Sequence, residues 1–447
     1  MELANELELF SATANSGALR CLAFSILCGL LVSGFDSAKA AVIESHKTPF
    51  KDTGTVDSSS TWNGLDEERS TFESGANKSK PTAQSYYIRA VENLKKKEYK
   101  TALLDASLSI KENPKWALAY NLRARIYGLL GQYNKAMDDV RISKKIAPKD
   151  MSAFTEEGIV ELRFANYDAA LACFEKANKI KENADSLISC GTCLLEQGKL
   201  DEAIKRYEKA LEIDPQKPAD ASLGVAYSIM GQTEKSIEHH SKNLSANKDD
   251  SQGHKDRAWA YNNAGEFRKA IDDCTKAIEL NKEFATAYST RGTAYAGLGQ
   301  KKKASRDFQK ALELDALFLK KYGSLISPDE MARIYLRRAF IDLVDGKFQH
   351  AINESRKVIK MSHLAPRIKA MAYLTIARAN NSLARYDDAV KYSSLAIDAF
   401  PYSLGGFFDR AYAYEHLGKA ELASADYAKS KERSNFYDRI ELIKPAS

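Results

Sequence analysis

From residue 83 to about 433 apolar positions recur with a helical period, in paired blocks of roughly a dozen residues separated by short polar turns. A small residue returns at Ala90, Ala124, Gly158, Gly191, Gly224, Ala258, Gly292, Ala339, Ala377 and Ala411. Twelve places after each stands a second column: Ala102, Ala136, Ala170, Ala203, Ser236, Ala270, Ala304, Ala351, Ala389 and Ala423. Seven places past the first column lie Gly131, Gly198, Gly231, Gly265, Gly299, Gly346 and Gly418, suited to the left-handed residue that ends a helix. Pro114, Pro148, Pro215 and Pro401 fall just before new blocks. Each unit therefore reads as helix, glycine turn, helix, proline-marked turn, and the stretch is predicted to be all-α.

Successive units are spaced by 34, 34, 33, 33, 34, 34, 47, 38 and 34 residues. The interval of 47 marks an insertion at 319–331, which divides seven units over 83–318 from three over 332–433. Ser327, Pro328, Asp329 and Glu330 read as an N-cap, a proline at the first helical place and a capping-box acid. Residues 434–447 are expected to supply a C-terminal capping helix and tail, because an array must cover its last apolar face. The small columns point to close helix crossings, where a larger side chain would overpack at a cost of about 1–3 kcal/mol.

This pattern resembles the tetratricopeptide repeat (TPR) family, which pairs a Gly or Ala in the first helix with an A-x3-F run in the second. The matching residues include Leu223-Gly224 with Tyr227, Arg291-Gly292 with Tyr295, and Tyr120 and Tyr288 at the usual Trp place. Phe174, Tyr207, Phe308 and Tyr427 follow the alanine column by four. The resemblance implies a right-handed superhelical solenoid of about ten helix-turn-helix units whose first helices line a concave groove where peptides lie.

Residues three before, one after and four after each place of the first column would then face the groove as one helical stripe. The stripe selects Asn121 and Arg125 in the second unit and Lys255, Trp259 and Asn262, beside Asn263, in the sixth. It selects Ser289 and Thr293 in the seventh, Arg378 in the ninth, and Phe408 and Tyr412 in the tenth. Trp259 between Lys255 and Asn262 reads as an exposed aromatic anchor with polar company, suited to a partner chain. Leu336, Phe340 and Leu343 of the eighth unit form an apolar stripe expected to lie under the insertion's Leu325 and Ile326. The expected function is a non-enzymatic scaffold that binds extended polypeptides in the groove. The alternative is a structural assembly subunit that uses its convex or terminal surfaces.

Composition alters this picture mainly at the N-terminus. An apolar run over 21–35 follows Arg20 and leads to Ala38, Lys39 and Ala40, which predicts an export signal with cleavage after Ala40 and a periplasmic or extracellular destination. The acidic Glu2, Glu6 and Glu8 leave an uncleaved anchor as the alternative. Residues 41–82, rich in Ser, Thr, Lys, Asp and Gly, read as a disordered spacer. A net charge of +6, from 66 basic and 60 acidic residues, gives nucleic-acid binding no support. No phosphate-binding loop, nucleophile elbow or zinc-protease motif occurs, so neither a catalytic residue nor a cofactor is expected. Cys190 and Cys193 read as packed thiols, with a disulfide to Cys173 as the lesser alternative. His239, His240 and His254 lack further ligands that would make a metal site.

Overall fold

The structure is a computed structural model that describes residues 81–96, 98–323, 328–362 and 364–432. The expected export signal, nearly all of the spacer, Leu325 and Ile326 of the insertion, and the capping segment 434–447 lie outside these residues. Twenty α-helices and no strand are found among the described residues. The first five units pair α1 (Ala83–Lys95) with α2 (Tyr99–Glu112), α3 (Ala117–Leu129) with α4 (Tyr133–Ile146), α5 (Met151–Arg163) with α6 (Tyr167–Ile180), α7 (Ala184–Glu196) with α8 (Leu200–Ile213), and α9 (Ala219–Ile229) with α10 (Thr233–Ala246). The next five pair α11 (Ser251–Asn263) with α12 (Phe267–Leu280), α13 (Ala285–Gly297) with α14 (Lys301–Tyr322), α15 (Pro328–Val344) with α16 (Phe348–Ile359), α17 (Pro366–Ser382) with α18 (Tyr386–Ala399), and α19 (Leu404–His416) with α20 (Ala420–Glu432). The two helices of each unit pack on one another and each second helix packs on the first helix of the following described unit, so the described residues form an all-α solenoid. Helix covers much of the stretch read as an insertion, since α14 runs to Tyr322 and α15 starts at Pro328.

All seven turn glycines adopt positive φ, between 69° and 80°. The same place in the third and ninth units is held by Ala165 (φ 60°) and Ala384 (φ 56°), so the turn forms even where alanine strains it.

The two small columns meet a third column, sixteen residues past the first. Where the first-helix residue is glycine, the third column is a ring. A Cβ on Gly158, Gly191, Gly224 or Gly292 would stand 2.7, 2.5, 2.6 and 2.7 Å from the rings of Phe174, Tyr207, His240 and Phe308. Where it is alanine, the partner is small or aliphatic: Ala106, Val140, Cys274, Ser355 and Ser393. The tenth unit sets Ala411 against Tyr427, and there the ring is only partly buried and turns its hydroxyl to Glu415 at 2.9 Å. Volume is thus conserved across the helix pair rather than at either residue, as close packing requires.

A second recurring device is polar. The residue just before the first column is arginine in six units, and in five of them it binds both oxygens of an aspartate sixteen residues on: Arg89 to Asp105, Arg123 to Asp139, Arg257 to Asp273, Arg291 to Asp307 and Arg410 to Asp426, at 2.5–2.9 Å. In four of them the third guanidinium edge donates to a hydroxyl sixteen residues earlier, on the preceding unit: Ser107, Ser241, Thr275 and Ser394. One side chain therefore ties its own unit together and ties that unit to the one before. Replacing Arg291 by alanine should lower stability by about 2–3 kcal/mol, because it leaves the nearly buried Asp307 without its fork, and lysine should restore little of it. Denaturant melts of the three proteins check this, and near-equal stability of Arg291→Ala would reduce the staple to surface decoration.

The seventh and eighth units meet through side chains, with Ala304 and Phe308 clustered on Phe340 and Ile341, while their backbones approach closely at few points. Such approaches are fewer between α14 and α15 than at any other junction between units among the described residues. The junction is held by Arg337, which binds Asp315 through two bonds of 2.8 Å and Thr286 at 2.9 Å, and by the edge-on rings of Phe308 and Phe340.

Beyond that junction the solenoid returns to its own earlier turn. One hydrophobic cluster contains Ile159, Leu162, Leu187, Ile188, Leu195 and Val225 from the third to fifth units together with Ala332, Leu336, Ile368, Met371 and Phe400 from the eighth and ninth. The Tyr167 hydroxyl donates to Asp329 at 2.9 Å, and Gly198 lies under the ring of Phe400.

Candidate functional site

The stripe expected to form an open groove is the innermost line of the odd-numbered helices, and it is buried through most of its length. Asn121, Lys255, Trp259, Asn262, Ser289, Thr293, Arg378 and Tyr412 are all buried, while Arg125, Asn263 and Phe408 are half-buried. Trp259 is 0% exposed, so the expected exposed anchor is corrected to a fully enclosed one. Leu336, Phe340 and Leu343 are also buried, Leu336 within the cluster that joins the eighth unit to the third, fourth and fifth.

Geometry explains why polar residues on this line were misread as solvent-facing. First helices of neighbouring units lie close enough for their side chains to bridge. Asn121 donates to Ser152 at 3.1 Å, and Arg125 binds Glu156 through contacts of 2.5–3.1 Å. Asn262 donates to the Thr290 carbonyl at 3.0 Å; Arg378 and Asn381 donate to the side chain and carbonyl of Asp409, both at 2.9 Å. Ser289 and Thr293 turn back to carbonyls of their own helix, those of Thr286 and Ser289. Lys255 pairs at 2.5 Å with Asp256, both fully buried, and Gln252 donates to the same carboxylate. Phe408 meets Tyr427 edge-on, and Tyr412 lies against His416, which stacks on Tyr386. These residues form local bridges along the array, not one convergent site.

Charge is held here at a cost. Burial pushes the Asp409 carboxyl up to about 6 despite Arg378 beside it. A buried ion pair contributes less stability than apolar packing of the same volume, which makes its place on the inner line informative. More informative are the atoms left over. Asn121, Asn262 and Asn381 each commit the amide nitrogen to the next unit, and their Oδ1 atoms have no hydrogen-bond partner among the described residues. The indole N–H of Trp259 is in the same condition. Each such buried group costs about 1–3 kcal/mol until something fills it.

The other candidates prove structural. Cys173, Cys190, Cys193 and Cys274 are buried thiols, none in a disulfide. Burial pushes Cys173 and Cys190 up to about 12, which removes the thiolate that redox or metal chemistry needs. His239 contacts Asp220 and His254 contacts Asp273, whereas His240 packs on Gly224. Among the described residues no group of three or more His, Cys, Asp or Glu is placed to hold a metal ion. No helix among them is long and apolar enough to cross a membrane. Two devices escaped sequence reasoning: the Arg/Asp staple, legible as a recurring pair sixteen apart, and the bridge to the next unit made by the asparagine four past the first column at 262 and 381.

Comparison with known proteins finds four matches within the array. Residues 117–150, 251–284 and 285–316 match models described as tetratricopeptide repeat, and residues 191–228 match one described as TPR repeat. The human protein named Protein SGT1 homolog is 29% identical over 99 residues, which are 22% of this chain and span only 27% of that protein. Similar solved structures include MamA (25% identical, TM-score 0.33, covering 36% of this chain and 96% of that one). The type IV pilus biogenesis factor PilW is 20% identical, with TM-score 0.40, over 46% of this chain and 96% of that one. A human IFIT1 dimer with m7Gppp-AAAA is 15% identical, with TM-score 0.48, over 82% and 93%. The matched segments fall on units whose helix pairs, glycine turns and small-residue crossings are all in place, and the chain is a tetratricopeptide repeat protein.

Proposed function

We propose that this helical protein-interaction scaffold holds extended polypeptide segments along its inner line, without catalysis. The unfilled groups at Asn121, Trp259, Asn262 and Asn381 carry the reading: enclosed as they stand, they are reached when neighbouring units part locally, and an extended backbone then presents alternating N–H and C=O groups that answer acceptors and donors of this kind. Asparagine serves twice: its nitrogen fixes the neighbouring helix, and its oxygen is thereby held in one orientation. The signal pattern of residues 1–40 supports an exported scaffold.

The test is to select peptides from a random displayed library against the full chain and to measure their affinities for it by titration calorimetry. Trp259→Phe, which removes the N–H donor and keeps a ring, and Asn262→Ser should each weaken binding at least about tenfold, with helicity unchanged. Selected peptides that bind both variants as well as the parent would move the interface off the inner line.

The assembly reading keeps one observation in its favour. Ile180, Ile213 and Leu280 each end a second helix and are 46%, 45% and 36% exposed. Self-association through them would appear as a concentration-dependent mass.

A further inference from the structure

The closure of the solenoid on itself is written into one residue that breaks the repeat. Where a second helix ends, the cap residue is Asn113, Asn247 or Asn281 in the first, fifth and sixth units, Asp214 in the fourth, and Ala147, Lys181 and Lys360 in the second, third and eighth, each polar or small. In the ninth unit it is Phe400, buried, with its ring over the turn residue Gly198 five units away. A cap needs no phenyl ring; a contact between turns of the superhelix does. A second tie lies beside it: Asp329 accepts from Tyr167 of the third unit and from the backbone N–H of Ala365.

The contact is nevertheless poorly suited to permanence. It encloses Arg367, whose guanidinium burial pushes down to about 9 although Glu196 faces it, with Arg333 as a like charge nearby. Together with the Tyr167–Asp329 pair these make a buried charged and polar group set beside the apolar cluster, so ionised groups are enclosed where hydrocarbon would pack more stably. The chain passes between the two faces by way of α14 and α15, whose backbones approach closely at few points. These features describe two bodies, that connection and a contact whose polar groups water can recover on parting.

We propose that the eighth to tenth units form an arm docked on the chain's own inner face, held at Tyr167–Asp329 and Gly198–Phe400 and pivoting at the α14/α15 junction, and that a polypeptide gains the apolar inner line of the third to fifth units by displacing it. The last clause rests on the inner-line reading of function; the docking and the pivot do not. Apolar Ile159, Leu162, Ile188, Leu195 and Val225 serve the arm in the closed state, whereas the polar inner residues of the second, sixth and seventh units lie outside that cluster. The arm therefore sets when the groove is available, and the polar units set what is chosen.

The experiment needs no partner. Spin labels are placed on the full chain at two exposed helix positions, Glu202→Cys and Asp398→Cys, with Cys21 and Cys28 changed to serine and the buried thiols left in place. The parent should give one short distance by pulsed electron resonance. Phe400→Asn, which installs the cap residue other units already use, should raise a long-distance population from under about a tenth to above about a half, with helicity retained. Tyr167→Phe, which removes only the hydroxyl, should give a smaller shift in the same direction. A parent that shows only long distances, or variants that keep the single short one, would overturn the arm. Peptide binding unaffected by an arm that does open would overturn displacement alone. Loss of peptide binding in Trp259→Phe bears only on the functional reading.

Discussion

Replacing Gly191 by alanine will lower stability by about 2 kcal/mol, and by leucine about 3 kcal/mol or more, although both are better helix formers than glycine. The reason is local. A Cβ at Gly191 would stand 2.5–2.9 Å from three atoms of the Tyr207 ring, which is fully buried and hydrogen-bonds Thr192. The ring has no empty space to enter, so the helices must part. The decisive measurement is the pair. Tyr207→Val alone should cost about 3 kcal/mol by leaving a cavity. Joined to Gly191→Ala it recreates the Ala124/Val140 pairing of the second unit, and the double variant should be less destabilised than the sum by at least about 1 kcal/mol. Simple additivity in denaturant melts would show that volume is not shared across the crossing.

That pairing was half legible in the sequence. The two small columns and the turn glycines need only a constant offset, and offsets survive in a repeat because each unit solves the same packing problem. The choice between glycine and alanine looked like noise until the ring at Phe174, Tyr207, His240 or Phe308 was seen above each glycine. The inner line was misread for a related reason. Lys255, Trp259 and Asn262 are unusual in a core, which argues for exposure when each helix is considered alone. Asn262 is instead occupied by a carbonyl of the next unit, a distance that a single helix cannot reveal. Closure was hardest to foresee, since it depends on the curvature summed over five units. Its one local trace was Phe400 at a cap where four other units have asparagine or aspartate and three have alanine or lysine, together with the apolar inner residues Ile159, Leu162, Ile188 and Leu195, more hydrophobic than an open groove needs.

His240→Phe should stabilise the protein, and by more in acid. His240 takes the ring position over Gly224, is 0% exposed, and neither ring nitrogen has a hydrogen-bond partner among the described residues. Burial pushes its pKa down to about 3, helped by the positive charges of Lys255, His239 and Arg257 and opposed by Asp273. The folded state therefore keeps the imidazole neutral, while the unfolded chain binds a proton below about 6.5. A folded value below the unfolded one means that the contribution is fully present above pH 6.5 and is lost as pH falls toward 3, at up to about 1.4 kcal/mol per pH unit. Phenylalanine fits the same place over Gly158 and Gly292, so it removes two buried unsatisfied atoms without a cavity. The gain should be about 2 kcal/mol at pH 7.5 and about 4 kcal/mol at pH 5, the increase coming from the lost titration. Denaturant melts of parent and variant at both values measure it, and a difference independent of pH would mean that the folded protein protonates His240 as readily as the unfolded chain does. The effect should be confined to the fifth and sixth units, because stability in a solenoid is shared with nearest neighbours. Amide exchange at pH 5 should accordingly quicken first in α10 and α11 of the parent, and the variant should abolish that local opening while leaving α3 and α4 unchanged.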